Sequence, residues 1–217
     1  MTRVSSFDVT LDTCVLFPIT LCDTLLRLAE AGVFRPHWSK ETLAELERNL
    51  VSKLGLSEKA ARRRIAQMTD AFPEALVEGY EQLVPAMPTD PKDRHVAAAA
   101  VRSASQIIVT SNLADFPPEA LRQFDIEVQS PDVFLLHQGN LDVSMTVRLL
   151  RSQASEKSRP PRTVQDVLDR LATNAPTFST AMRLLVEEAT PAERQATQEA
   201  GVQTNVDPAV VERAASS

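Results

Sequence analysis

Short apolar segments alternate with longer helical segments over residues 1–140, and this alternation constrains the fold more than any other feature of the chain. Residues 9–12, 33–37, 106–110 and 126–128 have the composition of buried strands. Between them, apolar residues recur at helical spacing, as at Leu43, Leu46 and Leu50. Strands separated by helices pair in parallel, so the pattern predicts a three-layer α/β/α sandwich around a central parallel sheet.

Polar and special residues predict where several helices begin and end. Ser39 and Ser57 stand where N-caps are expected, and Gly32 is placed to end the first long helix. Pro73 predicts the start of a further helix. Asp90, followed by proline, predicts the N-cap of the alanine-rich segment 96–104.

The pattern changes at about Leu141, beyond which only helical segments are predicted. Residues 152–162 contain two consecutive prolines and are typical of a linker or hinge. We therefore expect an α/β domain over residues 1–140, and over residues 141–217 a helical extension with a flexible tail.

Composition narrows the compartment and leaves nucleic acid open as a partner. No run of 18 apolar residues exists, the N-terminus is polar, and there are two cysteines, which together predict a cytoplasmic protein without a membrane span. The net charge of -6 argues against nucleic-acid binding, but phosphate responds to local charge. Basic residues gather in two places that could bind RNA, although a solvated surface or linker explains them as well: Arg62, Arg63 and Arg64, and Arg159 and Arg162.

Four acidic residues lie where a parallel sheet would bring them together. Asp12 closes the first strand, Asp115 follows the third, Asp93 lies near the start of the helix before the third strand, and Glu45 lies mid-helix. Ligands bind outside the carboxyl ends of parallel strands. Clustered carboxylates repel each other unless one is protonated or a cation enters, and Mg²⁺ or Mn²⁺ takes oxygen ligands. Such a site activates water against a phosphodiester.

Each acid also has a purely structural explanation. Asp93 could stabilise a helix N-terminus. Glu45 lies opposite the apolar stripe of its helix and could be solvated, with Glu41 on the same face as a possible replacement. Asp115 could punctuate a loop. Asp12, an acid that closes an apolar strand, is the hardest to explain without a function.

The order of short motifs over about residues 8–140 resembles the PIN-domain family and, within it, the VapC toxins of bacterial toxin–antitoxin pairs. The similar pieces are Leu11-Asp12-Thr13, the stretch 39–46 with Glu45, Asp90 to Asp93 before an alanine-rich helix, Thr110-Ser111-Asn112 with Asp115-Phe116-Pro117, and residues 130–135. The resemblance implies a metal-dependent endoribonuclease that uses Mg²⁺ or Mn²⁺. It also implies structured RNA such as tRNA or ribosomal RNA as substrate, and a cognate antitoxin protein as partner. A homodimer is a further possibility, since the apolar helix near residues 19–29 could supply its face, although the same apolar stripe could equally pack in the core.

The resemblance also assigns roles to residues. Asp12, Glu45, Asp93 and Asp115 would be the catalytic acids, with Asp12, Asp93 and Asp115 as metal ligands. Thr13 would support the first acid, and Thr110 would hold the far edge of the site. Many relatives have an acid where this chain has Asn112, so the choice between Asn112 and Asp115 as metal contact stays open.

Other functions compete with a toxin nuclease. A phosphatase of the haloacid-dehalogenase type is disfavoured because Cys14 stands where that chemistry needs a second acid. A non-catalytic RNA-binding or regulatory module with the same fold, and a housekeeping RNA-processing nuclease without an antitoxin, both remain open on sequence alone.

Overall fold

Four parallel strands form the central sheet of the computed structural model, which describes residues 7–156 and 162–188. The strands are β1 (Phe7–Leu11), β2 (Phe34–His37), β3 (Ile107–Val109) and β4 (Glu127–Gln129). Their order is β2-β1-β3-β4, with Val9 opposite Pro36 on one side and Ile107 on the other. The predicted parallel sheet is confirmed.

Helices connect and cover the strands. In the described residues they are α1 (Thr13–Leu16), α2 (Ile19–Glu30), α3 (Lys40–Leu54), α4 (Glu58–Ala71), α5 (Arg94–Arg102), α6 (Pro118–Arg122), α7 (Pro131–Leu141), α8 (Val143–Ser155), α9 (Val164–Leu171) and α10 (Pro176–Glu188). Two 3-10 turns, Val84–Ala86 and Leu113–Asp115, add to them. None of the described helices combines the length and the apolar character that crossing a bilayer requires.

Two hydrophobic cores lie on opposite faces of the sheet, which makes the fold three-layered. Because side chains alternate along a strand, neighbouring residues of β3 enter different cores. Val109 packs with Leu25 of α2 and Phe134 of α7. Ile108 packs with the alanines of α5 and with Leu121 of α6. The predicted α/β/α arrangement is confirmed.

The strand order places a topological switch between β1 and β3. From β1 the chain continues to β2 at one edge, and it returns to the other side of β1 only at β3. Connections that leave neighbouring strands in opposite directions open a crevice at their carboxyl ends. The residues just after β1 and β3, Asp12 and Thr110, therefore stand at the mouth of this crevice.

Most of the predicted helix boundaries are confirmed by hydrogen bonds. The Ser39 hydroxyl accepts from the Thr42 amide at 3.0 Å, and the Ser57 hydroxyl accepts from the Ala60 amide at 3.3 Å. Gly32 follows α2 with φ of +79°, a left-handed conformation that glycine adopts without strain.

Pro73 does not begin a helix, so that prediction is wrong. The Trp38 amide donates to the Ala75 carbonyl at 2.9 Å, and the Val77 amide donates to the Trp38 carbonyl at 3.0 Å. These long-range bonds hold the segment extended beside the fully buried Trp38. Tertiary pairing therefore overrides the local helix signal.

Helix α5 begins later than the sequence predicts. Its first residue is Arg94, and Asp93 rather than Asp90 occupies the N-cap position. The Asp90 carboxylate instead accepts from the Lys92 amide at 3.1 Å, and its carbonyl accepts from the Asp93 amide at 2.9 Å. A turn therefore precedes the helix and places Asp93 at its entrance.

The C-terminal extension is helical in the part that the structure describes. Helices α8, α9 and α10 contribute Leu150, Leu168 and Phe178 to the same core as α2 and α7. The predicted boundary between residues 140 and 141 lies at the end of α7 and stays a prediction. Residues 157–161 of the predicted linker, with Arg159, and the predicted flexible tail lie outside the described residues.

Candidate active site

Asp12 is positioned by the strand that precedes it and by two side-chain donors. Its amide donates to the Val109 carbonyl at 3.1 Å, which prolongs the pairing of β1 with β3. The buried carboxylate accepts at Oδ2 from the Thr110 hydroxyl at 2.6 Å and from the Cys14 thiol at 3.1 Å. Both bonds reach the same oxygen, and no described residue donates a hydrogen bond to Oδ1. Asp12 is thus oriented with one oxygen available.

Thr110 links the ends of the two central strands. While its hydroxyl donates to Asp12, the same oxygen accepts from the Asn112 amide at 3.0 Å. The Asn112 amide therefore orients the Thr110 hydroxyl, which in turn orients the Asp12 carboxylate. The sequence predicts a role for Thr110 at the far edge of the site, and the structure places it in direct contact with the first acid.

Cys14 contacts Asp12 and Thr110 in the site, a role that the sequence analysis does not assign to it. Burial raises the pKa of its thiol to about 12, and the neighbouring Asp12 charge acts in the same direction. The thiol therefore stays protonated and can donate to Asp12, while its sulfur accepts from the Ser111 amide at 3.1 Å. The sequence signal that could have placed Cys14 in the site is its position two residues after Asp12.

Glu45 lies in the crevice and is half-buried, so the prediction of a solvated helix face is wrong. Its Oε2 accepts from the Thr13 hydroxyl at 3.0 Å. That hydroxyl also lies 3.3 Å from the Thr42 carbonyl. Thr13 therefore supports Glu45, and the predicted contact of its hydroxyl with Asp12 is wrong.

Asp93 is buried at the entrance of α5, in the N-cap position. Its side chain forms no capping hydrogen bond, and its Oδ2 is buried without a hydrogen-bond partner in the described residues. Burial raises the pKa of Asp93 to about 7; the Asp12 charge raises it further, Lys92 opposes the shift, and Asp115 adds to it. Asp93 therefore makes no capping hydrogen bond, and its electrostatic help to the helix N-terminus stays a prediction. Its nearest counter-charge is Lys92, with Nζ 3.9 Å from Oδ2.

Asp115 lies beside Asp93 at the edge of the site. Lys92 joins the two, with Nζ 3.0 Å from Asp115 Oδ2 and 3.9 Å from Asp93 Oδ2. The Asp115 carbonyl accepts from the Asp90 amide at 3.0 Å, which holds the two loops together. Asn112 lines the crevice, whereas Asp115 is not among its lining residues.

An open cleft of about 1280 Å³ surrounds these groups. Its acidic floor consists of Asp12, Glu45 and Asp93, with Glu41 farther along α3. The lysines and arginines that line the cleft are Arg48, Lys53, Lys92 and Arg170. The positions 41, 45, 48 and 49 share one face of α3 by helical spacing, so Arg48 could have been found. Arg170, in the C-terminal extension, carries no such signal.

His95 also lines the cleft, and its contacts account for it structurally. Its Nδ1 lies 2.8 Å from the hydroxyl of Ser39, the N-cap residue of α3. Burial lowers the pKa of the ring, against the pull of nearby acids such as Glu41 and Asp12. A neutral imidazole therefore joins the start of α3 to α5.

The arginines predicted to bind RNA lie elsewhere or beyond the described residues. Arg62 forms ion pairs with Glu47 at 2.8 Å and Glu58 at 3.1 Å. Arg64 donates to the Leu16 and Phe17 carbonyls at 2.6 and 3.2 Å. Neither these two nor the exposed Arg63 lines the cleft. Arg162 precedes α9 and also lies outside the lining, and Arg159 is not described.

The carboxylates of the acidic floor fit a hard divalent cation that keeps several of its waters. Within residues 7–156 and 162–188, no three His, Cys, Asp or Glu side chains are arranged to hold a metal ion by themselves. Mg²⁺ commonly binds through one or two carboxylates, with water and substrate phosphate as its other ligands. Asp93, whose Oδ2 accepts no hydrogen bond from a described residue, and the oriented carboxylate of Asp12 provide such a pair.

Comparison with known proteins agrees with this geometry. Residues 8–114 match the PIN domain, and residues 131–184 match the VapC50 C-terminal domain. A protein of Mycobacterium tuberculosis (strain ATCC 25618 / H37Rv) named "Putative ribonuclease VapC50" is 39% identical over 113 residues, which are 52% of this chain and 67% of that protein. No solved structure matches the chain significantly. The chain therefore belongs to the PIN-domain family, as a VapC-type member with a VapC50-like C-terminal domain.

Proposed function

We propose that this protein is a metal-dependent endoribonuclease that hydrolyses phosphodiester bonds in cellular RNA. The observation that carries the proposal is the acidic floor, where Asp93 keeps a buried oxygen that accepts no hydrogen bond from a described residue, next to the charge of Asp12. A fold does not gather like charges in this way for stability, since their repulsion opposes folding. Family membership and the name of the related protein support RNA as the substrate.

The residues of the site have different proposed roles. Asp12 and Asp93 would hold the cation, with Glu45 and Asp115 adding negative charge around it. When bound, Mg²⁺ or Mn²⁺ would activate water and neutralise charge on the phosphodiester. Thr110 holds the Asp12 carboxylate in one orientation through its 2.6 Å hydrogen bond, and Thr13 does the same for Glu45. Lys92 compensates part of the charge on Asp93 and Asp115.

The biological role that we propose is that of a toxin acting on structured RNA in the cytoplasm and neutralised by a cognate antitoxin. Support comes from the VapC-type family and the VapC50-like C-terminal domain. Expression of the chain alone should arrest growth, and the product of a neighbouring gene should relieve the arrest. Growth that continues in the presence of an active enzyme would instead favour a housekeeping RNA-processing nuclease.

The activity is tested with purified protein and end-labelled tRNA and ribosomal RNA, in Mg²⁺, in Mn²⁺ and in EDTA. We expect cleavage in the presence of metal, none in EDTA, and none with Asp93→Asn. Asp70→Asn is the matched control, because Asp70 is an exposed aspartate of α4 that does not line the cleft. Cleavage that persists in EDTA would refute metal dependence.

A second measurement reports metal binding without catalysis. A ligand that binds only the folded state raises its stability, so Mn²⁺ should raise the melting temperature of the wild type and of Asp70→Asn. Mn²⁺ should leave the melting temperature of Asp93→Asn unchanged. A wild type that binds RNA, ignores Mn²⁺ and cleaves nothing would be a non-catalytic RNA-binding module.

A further inference from the structure

Three residues of the C-terminal extension line the cleft that contains the acidic floor, and we call them the wall: Arg170, Thr173 and Asn174. Arg170 lies in the last turn of α9, and Thr173 and Asn174 lie in the turn that leads to α10. All three line the cleft, as do Arg48 and Asn49 of α3. The cleft is therefore built jointly by the PIN domain and the extension.

Backbone and core contacts fix this wall in place. Leu168 and Leu171 of α9 are fully buried in the main core. The Ala175 amide donates to the Leu171 carbonyl at 2.7 Å and closes the turn. From α7, the Asp132 carboxylate accepts from the Phe178 amide at 2.8 Å and caps the start of α10. These contacts anchor the backbone that carries Arg170.

Helix α8 joins the extension to the PIN domain through a buried polar contact. Gln153 accepts from the Thr24 hydroxyl at 2.9 Å and donates to the Thr20 carbonyl at 3.0 Å. Thr20 itself lines the cleft. An amide satisfied at both ends in this way fixes the register between α8 and α2, so the wall keeps a defined position relative to the acidic floor.

Arg48 and Arg170 are the arginines that line the cleft, and the charge of Arg170 acts on Asp166, one turn earlier in α9. Both side chains are exposed, and neither forms a hydrogen bond or an ion pair with a described residue. By contrast, Arg27, Arg62 and Arg183 are ion-paired within the fold. The two arginines in the cleft therefore keep their donors available for a ligand.

We infer that Arg170, together with Arg48, binds the phosphates that flank the scissile bond of the RNA, so that the extension is part of the substrate site. The inference rests on the proposed function. The acidic floor repels every phosphate except the one that a bound cation contacts, so a strand that crosses the cleft needs positive charge on either side. Arginine suits this task because its planar fork binds phosphate oxygens in pairs.

The test measures binding of a fluorescein-labelled single-stranded RNA oligonucleotide by anisotropy in EDTA, which prevents cleavage. The variants are Arg170→Gln and Arg48→Gln. Arg148→Gln is the matched control, since Arg148 is an exposed arginine of the extension that does not line the cleft. We expect each cleft variant to raise Kd about threefold to tenfold and to lower the salt slope by about 0.7, the loss of one phosphate contact.

The result also separates this inference from the proposed function. If Arg170→Gln and Arg148→Gln bind RNA equally while the wild type cleaves, the inference is overturned and the nuclease stands. If Arg170→Gln loses affinity and the wild type never cleaves, the substrate wall stands and the nuclease is overturned. An equal melting temperature for all variants ensures that the comparison concerns binding, and a wild type that binds no RNA overturns the inference.

Discussion

The cleft and helix α4 both concentrate charged side chains, and they use them in opposite ways. In the cleft, Asp12 and Asp93 are buried and close enough for the charge of one to act on the other, and one oxygen of Asp93 accepts no hydrogen bond from a described residue. On α4, Arg62 pairs with two glutamates and Arg64 donates to two carbonyls. Charges in the cleft are left for a ligand, whereas those of α4 are satisfied within the chain.

This difference shows that charge density in the sequence is a poor guide to the ligand site. Arg62 to Arg64 are adjacent in the sequence yet lie outside the cleft. Arg48 and Arg170 are far apart in the sequence yet line the same cleft. Substitutions in the cleft should therefore remove function and keep the fold, whereas substitutions of the partnered α4 arginines should leave function unchanged and affect at most the stability.

The largest effect is expected from Asp12→Asn. The amide keeps the shape of the side chain and removes the negative charge that the proposed cation needs, so cleavage of RNA should fall by about 100-fold or more. Relief of repulsion between Asp12 and Asp93 should leave the melting temperature in EDTA equal to or above that of the wild type. Rates from labelled RNA, with thermal melting of the same samples, check both. A fully active Asp12→Asn protein would contradict the assignment of the floor.

Thr110→Val should have the next largest effect. Valine keeps the volume and removes the hydroxyl that donates to Asp12 at 2.6 Å, so the carboxylate loses its fixed orientation. Residues that orient a metal ligand are typically worth about 10- to 100-fold in activity or metal affinity. The measurement is the Mn²⁺ concentration dependence of cleavage.

Thr13→Val is the matched variant for that experiment, since it removes the equivalent bond to Glu45. It should cost less, because Glu45 is proposed to surround the cation rather than to hold it. Equal losses in the two threonine variants would mean that Glu45 is as important to the metal as Asp12, and the division of roles within the floor would have to change.

Much of the acidic floor could be predicted from sequence because strand ends are visible there. An apolar run that stops at Asp12 and another that stops at Thr110 mark the carboxyl ends of two strands, and parallel pairing brings such ends together. Asp93 was harder, because an acid at the start of a helix is equally compatible with capping. Only the structure shows that its side chain makes no capping bond.

Features that depend on long-range packing could not be predicted in this way. Periodicity shows that Glu45 lies opposite the apolar stripe of α3, but it cannot show that the opposite side faces a cleft. Arg170 enters that cleft because Leu168 and Leu171 pack into the core, and the sequence does not state where they pack. The prediction of a helix at Pro73 is wrong for the same reason, because the backbone that follows Pro73 forms hydrogen bonds with the backbone of Trp38.

Arg64→Gln should reduce stability and leave RNA cleavage unchanged. Its guanidinium donates to the Leu16 and Phe17 carbonyls and ties α4 to the end of α1. Hydrogen bonds that involve a charged group contribute about 1.5–3 kcal/mol, and each kcal/mol corresponds to about 2–4 °C in the melting temperature of a protein of this size. Thermal melting and cleavage assays test this, with the exposed Arg63→Gln as control. Loss of RNA binding at unchanged stability would place α4 in the substrate site instead.

Arg62→Gln should have the smallest effect of all. Its ion pairs with Glu47 and Glu58 lie on the exposed surface of α3 and α4, where solvent and salt screen the attraction and ordering two long side chains offsets it. We expect no resolvable change in melting temperature and no change in Kd for the RNA oligonucleotide. The same titration with Arg48→Gln provides the contrast, because Arg48 lines the cleft on the helix that carries Glu47. If Arg62→Gln weakens RNA binding as much as Arg48→Gln does, the substrate path extends across α4, and the distinction between satisfied and available charges fails at this helix.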